Sequence, residues 1–405
     1  MKDDIRTAGP DQNREYAKVS KGNIILKTNN DVSMAFVGDM SFGDFPFCIG
    51  YGVRSEIRNN KDINIFKDVE NILHKHDIVF GNLETVLSNE SEMVDSLSSV
   101  EMRGDPSICN ILKNAHFNCI NIANNHILQH GEKPFQETIN ILTESGIVCV
   151  GSKSIHEWHC EPVIIEKGKK LIGILGYAFE RDRYFKKESK YAFGYSDRIL
   201  KDVNRLRSSV DLLIVSCHWG LEFITRPSPY TITLARNIID AGADLVIGHH
   251  PHVLQGIEKY KHGLIAYSLG NFIFDMLWDK RLRESMVLSV CWSSRDVINY
   301  KIIPIFINDS YHPLVMSSNK AKELIDRVAC LSEYINSQDI DDIEREYLKY
   351  CDEYKYISRI YRYKSYLYFL RNLSRYNKKY IYQQLRKTIN SKIEDIKQQV
   401  KVYDK

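Results

Sequence analysis

The chain has 405 residues, 43% of them hydrophobic and 26% charged, with a formal net charge of +3. That length holds a large α/β domain with an appendage, the composition is that of a folded chain, and so small a net charge gives no electrostatic case for nucleic acid. Nine cysteines without a C-x-x-C pair read as reduced thiols; with no apolar leader after Met1 and no run long enough to span a bilayer, the expectation is a cytoplasmic protein.

Residues 1–32 are polar apart from Ile24-Ile25-Leu26 and read as an N-terminal arm. From 33 to 315, apolar runs alternate with segments of helical period, which predicts an α/β core. Six of these runs stop at a residue able to bind a metal or a phosphoryl group. Met34-Ala35-Phe36-Val37 stops at Gly38-Asp39, Ile78-Val79-Phe80 at Gly81-Asn82-Leu83-Glu84, and the run from Cys119 to Ala123 at Asn124-Asn125-His126. The run from Leu212 to Cys217 leads into His218-Trp219-Gly220, Leu245-Val246-Ile247 into Gly248-His249-His250-Pro251-His252, and Leu264 to Ser268 into Gly270-Asn271. Short apolar runs bounded by turn residues read as buried strands. An open α/β sheet carries its ligand site beyond the carboxyl ends of such strands, so these donors are expected on one rim.

Between the fourth and fifth runs, Thr231 to Gly242 predicts a helix with Leu234, Ala235, Ile238 and Ile239 on one face and a terminating glycine. After Pro313 the strand signal fades. Residues 316–405 form a basic, tyrosine-rich extension whose stripes, Ile357, Ile360, Tyr361 and Tyr368, then Ile381, Leu385, Ile389, Ile393, Ile396 and Val400, predict helices. Residues 351–405 hold fourteen Lys or Arg against five Asp or Glu. That imbalance has two readings: a helical cover on the core with solvated charges, or a peripheral contact with an anionic membrane face, an anionic polymer or an acidic protein.

A divalent-metal site that keeps places for water and substrate mixes imidazole nitrogens with carboxylate or amide oxygens. Asp39, Glu84, Asn125, His218 and His252 are such a mix. Imidazole suits zinc or iron, and the oxygen donors keep manganese and magnesium open, as one ion or two. A Gly-Asp pair after a strand is usually a turn and a lone histidine usually structural. Five ligand-type side chains at successive strand ends are a joint signal of a site.

These motifs, with Asn82-Leu83-Glu84, Ala123-Asn124-Asn125-His126, His218-Trp219-Gly220, the run Gly242 to Gln255, and Tyr267 to Asp275, resemble those of CapA-type proteins. These are the capsule and poly-γ-glutamate synthesis branch of the calcineurin-like metallophosphoesterases. The resemblance runs from about residue 34 to 275 and keeps the order of the motifs. It implies a four-layer αββα sandwich with a metal centre at the strand ends. Asp39 and Glu84 would be oxygen ligands, Asn125 an amide ligand, and His218 and His252 imidazole ligands. His126 would be the general acid with Asn124 beside it, and Arg103 a clamp on a substrate anion. His249 and His250 compete for a further ligand place. Strand alternation sends neighbours to opposite faces, and the family's His-x-His spacing favours His250. Asn271 is expected to orient a histidine.

Four positions depart from the family's pattern, one of them Thr231, where family members tend to carry Gln. Ser41 stands where calcineurin-like enzymes have a histidine, Asn82 where they have an aspartate, and Gln129 where an aspartate often follows the Asn-Asn-His motif. The implied activity is metal-dependent hydrolysis of a phosphate ester, on a phosphorylated small molecule or an anionic polymer precursor, in the making of an extracellular polymer. The depleted ligand set supports a second expectation, a non-hydrolytic accessory that binds without cleaving. A γ-amide ligase is disfavoured, since the chain lacks a phosphate-cradling glycine-rich loop.

Overall fold

The six apolar runs all become strands, and they divide between two sheets. In the computed structural model, which describes residues 31–60, 63–154, 159–180, 189–294, 297–336 and 343–390, the first sheet is ordered Pro313–Val315, Val297–Ile307, Glu284–Ser294, Val32–Met40, Ile78–Leu83, Cys119–Asn121, Val148–Val150. Asn271–Ile273 also pairs with Val32–Met40. The second sheet runs Ile257–Tyr260, Gly263–Ala266, Leu245–His249, Leu212–His218, Lys170–Ala178, Val163–Lys167. The site-bearing strands pair in parallel within each sheet, so their carboxyl ends point the same way. The patch Ile24-Ile25-Leu26 and the stripe positions Ile393, Ile396 and Val400 lie outside the described residues.

Alternation along the strands sorts the apolar side chains into layers. Met34, Phe36, Ile78 and Phe80 of the first sheet meet Ile174, Ile214, Leu245 and Ile247 of the second in a core between the sheets. The next residues along, Ala35, Val37 and Val79, face outward onto helical residues such as Ile108, Leu112, Phe135 and Leu142. On the far side Leu213, Val215 and Val246 pack against Val203, Leu206, Ala235, Ile238 and Ile239. Helix, sheet, sheet, helix is the four-layer α/β arrangement that the resemblance implies. The helix expected from Thr231 is Pro229–Asp240, begun by the Ser228 hydroxyl, which accepts from the Thr231 amide at 3.1 Å. It ends before Gly242, whose φ of +119° suits only glycine.

One close approach fixes the rim. A Cβ on Gly38 would sit 1.9 Å from the carbonyl oxygen of Gly270, so a side chain there would part the Val32–Met40 strand from Asn271–Ile273. The register that results sets Asp39 beside Asn82 on one neighbour and Asn271 on the other. In the second sheet His249 sits beside His218.

The described residues after 316 are mostly helical and pack on the core. Ser318–Asn336 places Ala321, Leu324, Ile325 and Val328 in the inter-sheet cluster. Ile343–Arg371 and the helical turns that follow bury Tyr361, Phe369, Tyr376 and Tyr380 against Phe45, Phe47, Cys48 and Ile49. Its charges are partly used inside the molecule: Lys387 pairs with the buried Glu101 at 2.7 Å and Arg226 of the core with Glu353 at 2.7 Å. Tyr356, Tyr363 and Leu370 remain on the exposed side. Among the described residues no helix is long and apolar enough to cross a membrane, and all nine cysteines are free.

Candidate metal centre

The rim gathers side chains from both sheets around one carboxylate. Glu84, which directly follows the Ile78–Leu83 strand, is wholly buried, and neither of its oxygens has a hydrogen-bond partner. Its Oε1 lies 3.8 Å from His218 Nε2, 3.8 Å from His252 Nε2 and 3.9 Å from His126 Nε2. Those separations are too long for hydrogen bonds, and they are the spacing of donors about a common cation at roughly 2 Å from each. Two sets of donors meet the geometry of a metal site, Glu84 with His218 and His250, and Asp39 with Glu84 and His252. Glu84 belongs to both.

Asp39 is equally buried. Its Oδ1 accepts from the Asn82 amide at 2.8 Å and lies 3.4 Å from His249 Nδ1; its Oδ2 accepts from the His250 backbone amide at 3.1 Å. Burial pushes this carboxyl up, but contact with His249, the nearby His252 and the Asn82 amide outweigh it, and the group is held below the usual aspartate value. Glu84 has no such compensation. Burial, then the charges of Asp39, Glu222 and Glu180, raise it well above the ordinary glutamate value. An acceptor pair kept dry and unpaired costs roughly several kcal/mol unless a cation joins it. The residues therefore fit a divalent metal.

His252 is set by its far nitrogen. His252 Nδ1 is 2.9 Å from Asn271 Oδ1, while Asn271 Nδ2 donates to the Leu282 carbonyl, so the amide is oriented as an acceptor and His252 Nε2 is left to face Glu84. Asn271 thus orients a histidine. His218 Nε2 is 2.8 Å from Asn125 Oδ1, and its Nδ1 lies 3.2 Å from the Asn82 amide. Burial and the surrounding histidines His250, His249, His252 and His126 hold His218 well below the ordinary imidazole value, so it is neutral.

His249 and His250 are both close to the cluster, so strand alternation does not separate them. The strand ends at His249, and His250 takes φ +96°, which turns its ring out of the strand pattern. His249 approaches Asp39, and His250 contributes to the Glu84 and His218 set. Both ring nitrogens of His249, and Nδ1 of His250, are buried without a hydrogen-bond partner.

His126 differs from the rest in reaching outward. Its side chain keeps 24% exposure against 0% for Glu84 and His218. Gln129 Oε1 lies 2.9 Å from its Nδ1, which leaves Nε2 toward Glu84 and the opening. Burial lowers its pKa, and the Gln129 hydrogen bond offsets only part of that.

Two expected site residues have no described contact with the metal donors. Asn124 donates to the Leu83 carbonyl at 2.7 Å and accepts from the His126 amide at 3.1 Å, so it shapes the loop that carries His126. Arg103 donates to the Asn89 carbonyl at 2.5 Å, on a short strand beside Val86–Leu87, and no described contact joins it to the metal donors. Ser41 turns its hydroxyl to the Met102 sulfur at 3.7 Å, so it replaces a histidine ligand with none.

Glu180 and Glu222 were missed. Glu180 Oε2 lies 3.0 Å from His250 Nε2, and both carboxylates act on the charge of the cluster. Despite burial, the Glu180 hydrogen bond and the Glu222 charge raise the pKa of His250. The signal was present: the apolar run from Leu171 to Ala178 also stops at a polar group, Phe179-Glu180.

The bacterial capsule synthesis protein family, PGA_cap, matches residues 33–276. The chain belongs to this family. The match covers every donor of the centre, and the helices after residue 318 lie outside it. The capsule biosynthesis protein CapA of Bacillus anthracis is 30% identical to this PGA_cap protein over 270 residues, covering 64% of each chain. The chain thus spans less than two thirds of that relative's length. The PGA biosynthesis protein CapA of Bacillus subtilis (strain 168) is 28% identical over 307 residues, 74% of this chain and 79% of that one. Among solved structures, a hypothetical protein from Thermus thermophilus is similar at a TM-score of 0.42 and 13% identity, covering 67% of this PGA_cap chain and 99% of its own.

Proposed function

We propose that this PGA_cap protein is a divalent-metal-dependent phosphoester hydrolase that works in capsule or poly-γ-glutamate synthesis, on a phosphorylated small molecule or a polymer precursor. The observation that carries the proposal is Glu84: a buried carboxylate with no hydrogen-bond partner, shared by two sets of metal-type donors. Bound there, a divalent metal polarises a phosphoryl oxygen and makes a water nucleophilic at neutral pH. Glu84, His218 and His250 would hold one position, and Asp39, Glu84 and His252 the other. Asn125 Oδ1, beside His218 Nε2, would be a further oxygen donor there, while Asn82 meets His218 at Nδ1 and Asn271 braces His252.

His126 then handles the proton. As imidazolium it donates from Nε2 to the departing oxygen while Gln129 holds Nδ1–H. Burial lowers its pKa, so the acid form is populated only at the acidic side of neutrality, and a rate that depends on it falls as pH rises. Gln129→Asp puts a carboxylate against Nδ1, which raises that pKa and should move the falling limb of the pH–rate profile to higher pH. His126→Ala should lower kcat about 100- to 1,000-fold and leave metal content unchanged. Phosphate release from phosphomonoesters, phosphodiesters and nucleotides, with metal analysis of each variant, reads both. No metal-stimulated release from any of them would overturn the hydrolase reading.

A second reading, an accessory that binds and does not cleave, draws on Asn82 and Ser41. Asn82 puts a neutral amide against Asp39 where a charged ligand would strengthen the centre, and Ser41 faces Met102. That reading expects metal and inorganic phosphate to bind with no turnover.

A further inference from the structure

We propose that the Ile343–Arg371 helix, outside the family match, completes the ligand cleft of the metal centre, and that its Tyr354 selects phosphate esters carrying a planar ring. The inference rests on the phosphoester reading above and adds the class of group attached to the phosphoryl.

On the side of His250 the centre opens into a cleft of ≈ 200 Å³ whose walls include Phe179, Trp219, Glu180, Glu222 and Tyr354. Tyr354 comes from the extension, and the way its helix is seated decides where the ring stands. Tyr350 accepts from the Leu221 amide at 3.3 Å, Arg226 donates to Glu353 at 2.7 Å, and the Arg226 guanidinium lies 5.2 Å from the centre of the Tyr350 ring. Farther along, Tyr361 stacks on Phe223 with ring centres 4.6 Å apart and planes 5° from parallel, and Phe223 in turn lies 6.3 Å from the ring of His252.

Positions 350, 353, 354, 357 and 361 recur at helical spacing, so one face of the helix grips the segment 219–226 that leaves the His218 strand. Phe223 is held at φ +71°, with its amide on the Pro251 carbonyl at 2.8 Å. Tyr354 thus lines the same cleft as His250, with helix contacts on either side of it.

A phosphoryl group at Glu84 and its histidines sends the rest of an ester toward solvent or into this cleft. The cleft has room for a ring, and the aromatic residues Phe179 and Tyr354 are part of its wall. The carboxylates Glu180 and Glu222 also line the cleft.

The test uses the full chain loaded with Mn²⁺, titrated calorimetrically with inorganic phosphate and with phenyl phosphate. Phenyl phosphate should bind the wild type more tightly than phosphate. Tyr354→Ala should weaken phenyl phosphate about 3- to 10-fold and leave phosphate affinity and metal content unchanged. Tyr354→Leu, which keeps the helix packed, should show the same split, and Tyr354→Phe should behave as wild type. Equal loss of both ligands, loss of neither, or a wild type without preference for the ring overturns the inference and leaves the phosphoester reading standing. A wild type that takes up neither Mn²⁺ nor phosphate refutes that reading, and this inference with it.

Discussion

A Glu84→Gln chain should lose divalent metal and, without metal, be more stable than the wild type. The first half follows from Glu84 standing in both donor sets. Losing a residue that supports a ligand from outside costs about 10- to 100-fold in metal affinity, and losing a shared ligand should cost more. The second half follows from the absence of any hydrogen-bond partner on either buried oxygen. The wild-type fold must carry an unpaired charge or take up a proton, and an uncharged amide removes that choice at a gain of about 1–3 kcal/mol.

The pH dependence gives the sign a second check. Glu84 is raised well above the ordinary glutamate value in the folded chain, so between the two values the folded state holds a proton that the unfolded state has released. Its contribution is full below the unfolded value and is lost as pH rises through the folded one. Melting in EDTA should therefore show Glu84→Gln above wild type at about pH 8, with the gap closing toward the ordinary glutamate value of about 4.3. Excess Mn²⁺ should reverse the order by stabilising only the wild type. Equal melting at the alkaline end in EDTA, or unchanged metal uptake, would count against the centre.

The second large effect lies in the extension. Phe369 is 2% exposed and packs on Phe47 at 5.4 Å and Tyr376 at 5.0 Å between ring centres. Truncating a buried aromatic of this kind to alanine costs about 3–5 kcal/mol. Phe369→Ala should therefore lower the denaturation midpoint strongly and open the segment after residue 343 to protease. Tyr382, 74% exposed, is the control: Tyr382→Ala should stay within about 0.5 kcal/mol of wild type. If both variants melt together with the wild type, the extension is not seated on the core as described. The same result bears on the two readings of the basic tail, because Tyr361, Phe369, Tyr376 and Tyr380 are already used as a cover.

The strand ends were legible because burial demands it. A run such as Leu245-Val246-Ile247 must lie inside the sheet, and the polar group that stops it must lie at the rim, so Asp39, Glu84, Asn125, His218 and His252 were readable as neighbours from residue type and order. A sequence motif says nothing of where the Arg103 loop turns, and its guanidinium donates to the Asn89 carbonyl. His250 falls in the Glu84 and His218 donor set, but the alternation argument for separating it from His249 did not hold, for a local reason. Alternation holds only inside a strand, and His250 leaves it with φ +96° while its amide bonds Asp39.

By itself, then, the sequence determined the layers, the rim and the family, since apolar period and strand-end chemistry are properties of short segments. Only tertiary structure decided that Glu84 is shared between two donor sets, that Glu180 reaches His250, and that Tyr354 of a distant helix stands in the cleft. Those facts depend on how separate segments pack in three dimensions, where a difference of a few ångströms or one backbone angle redirects a side chain, and no local pattern along the chain encodes it.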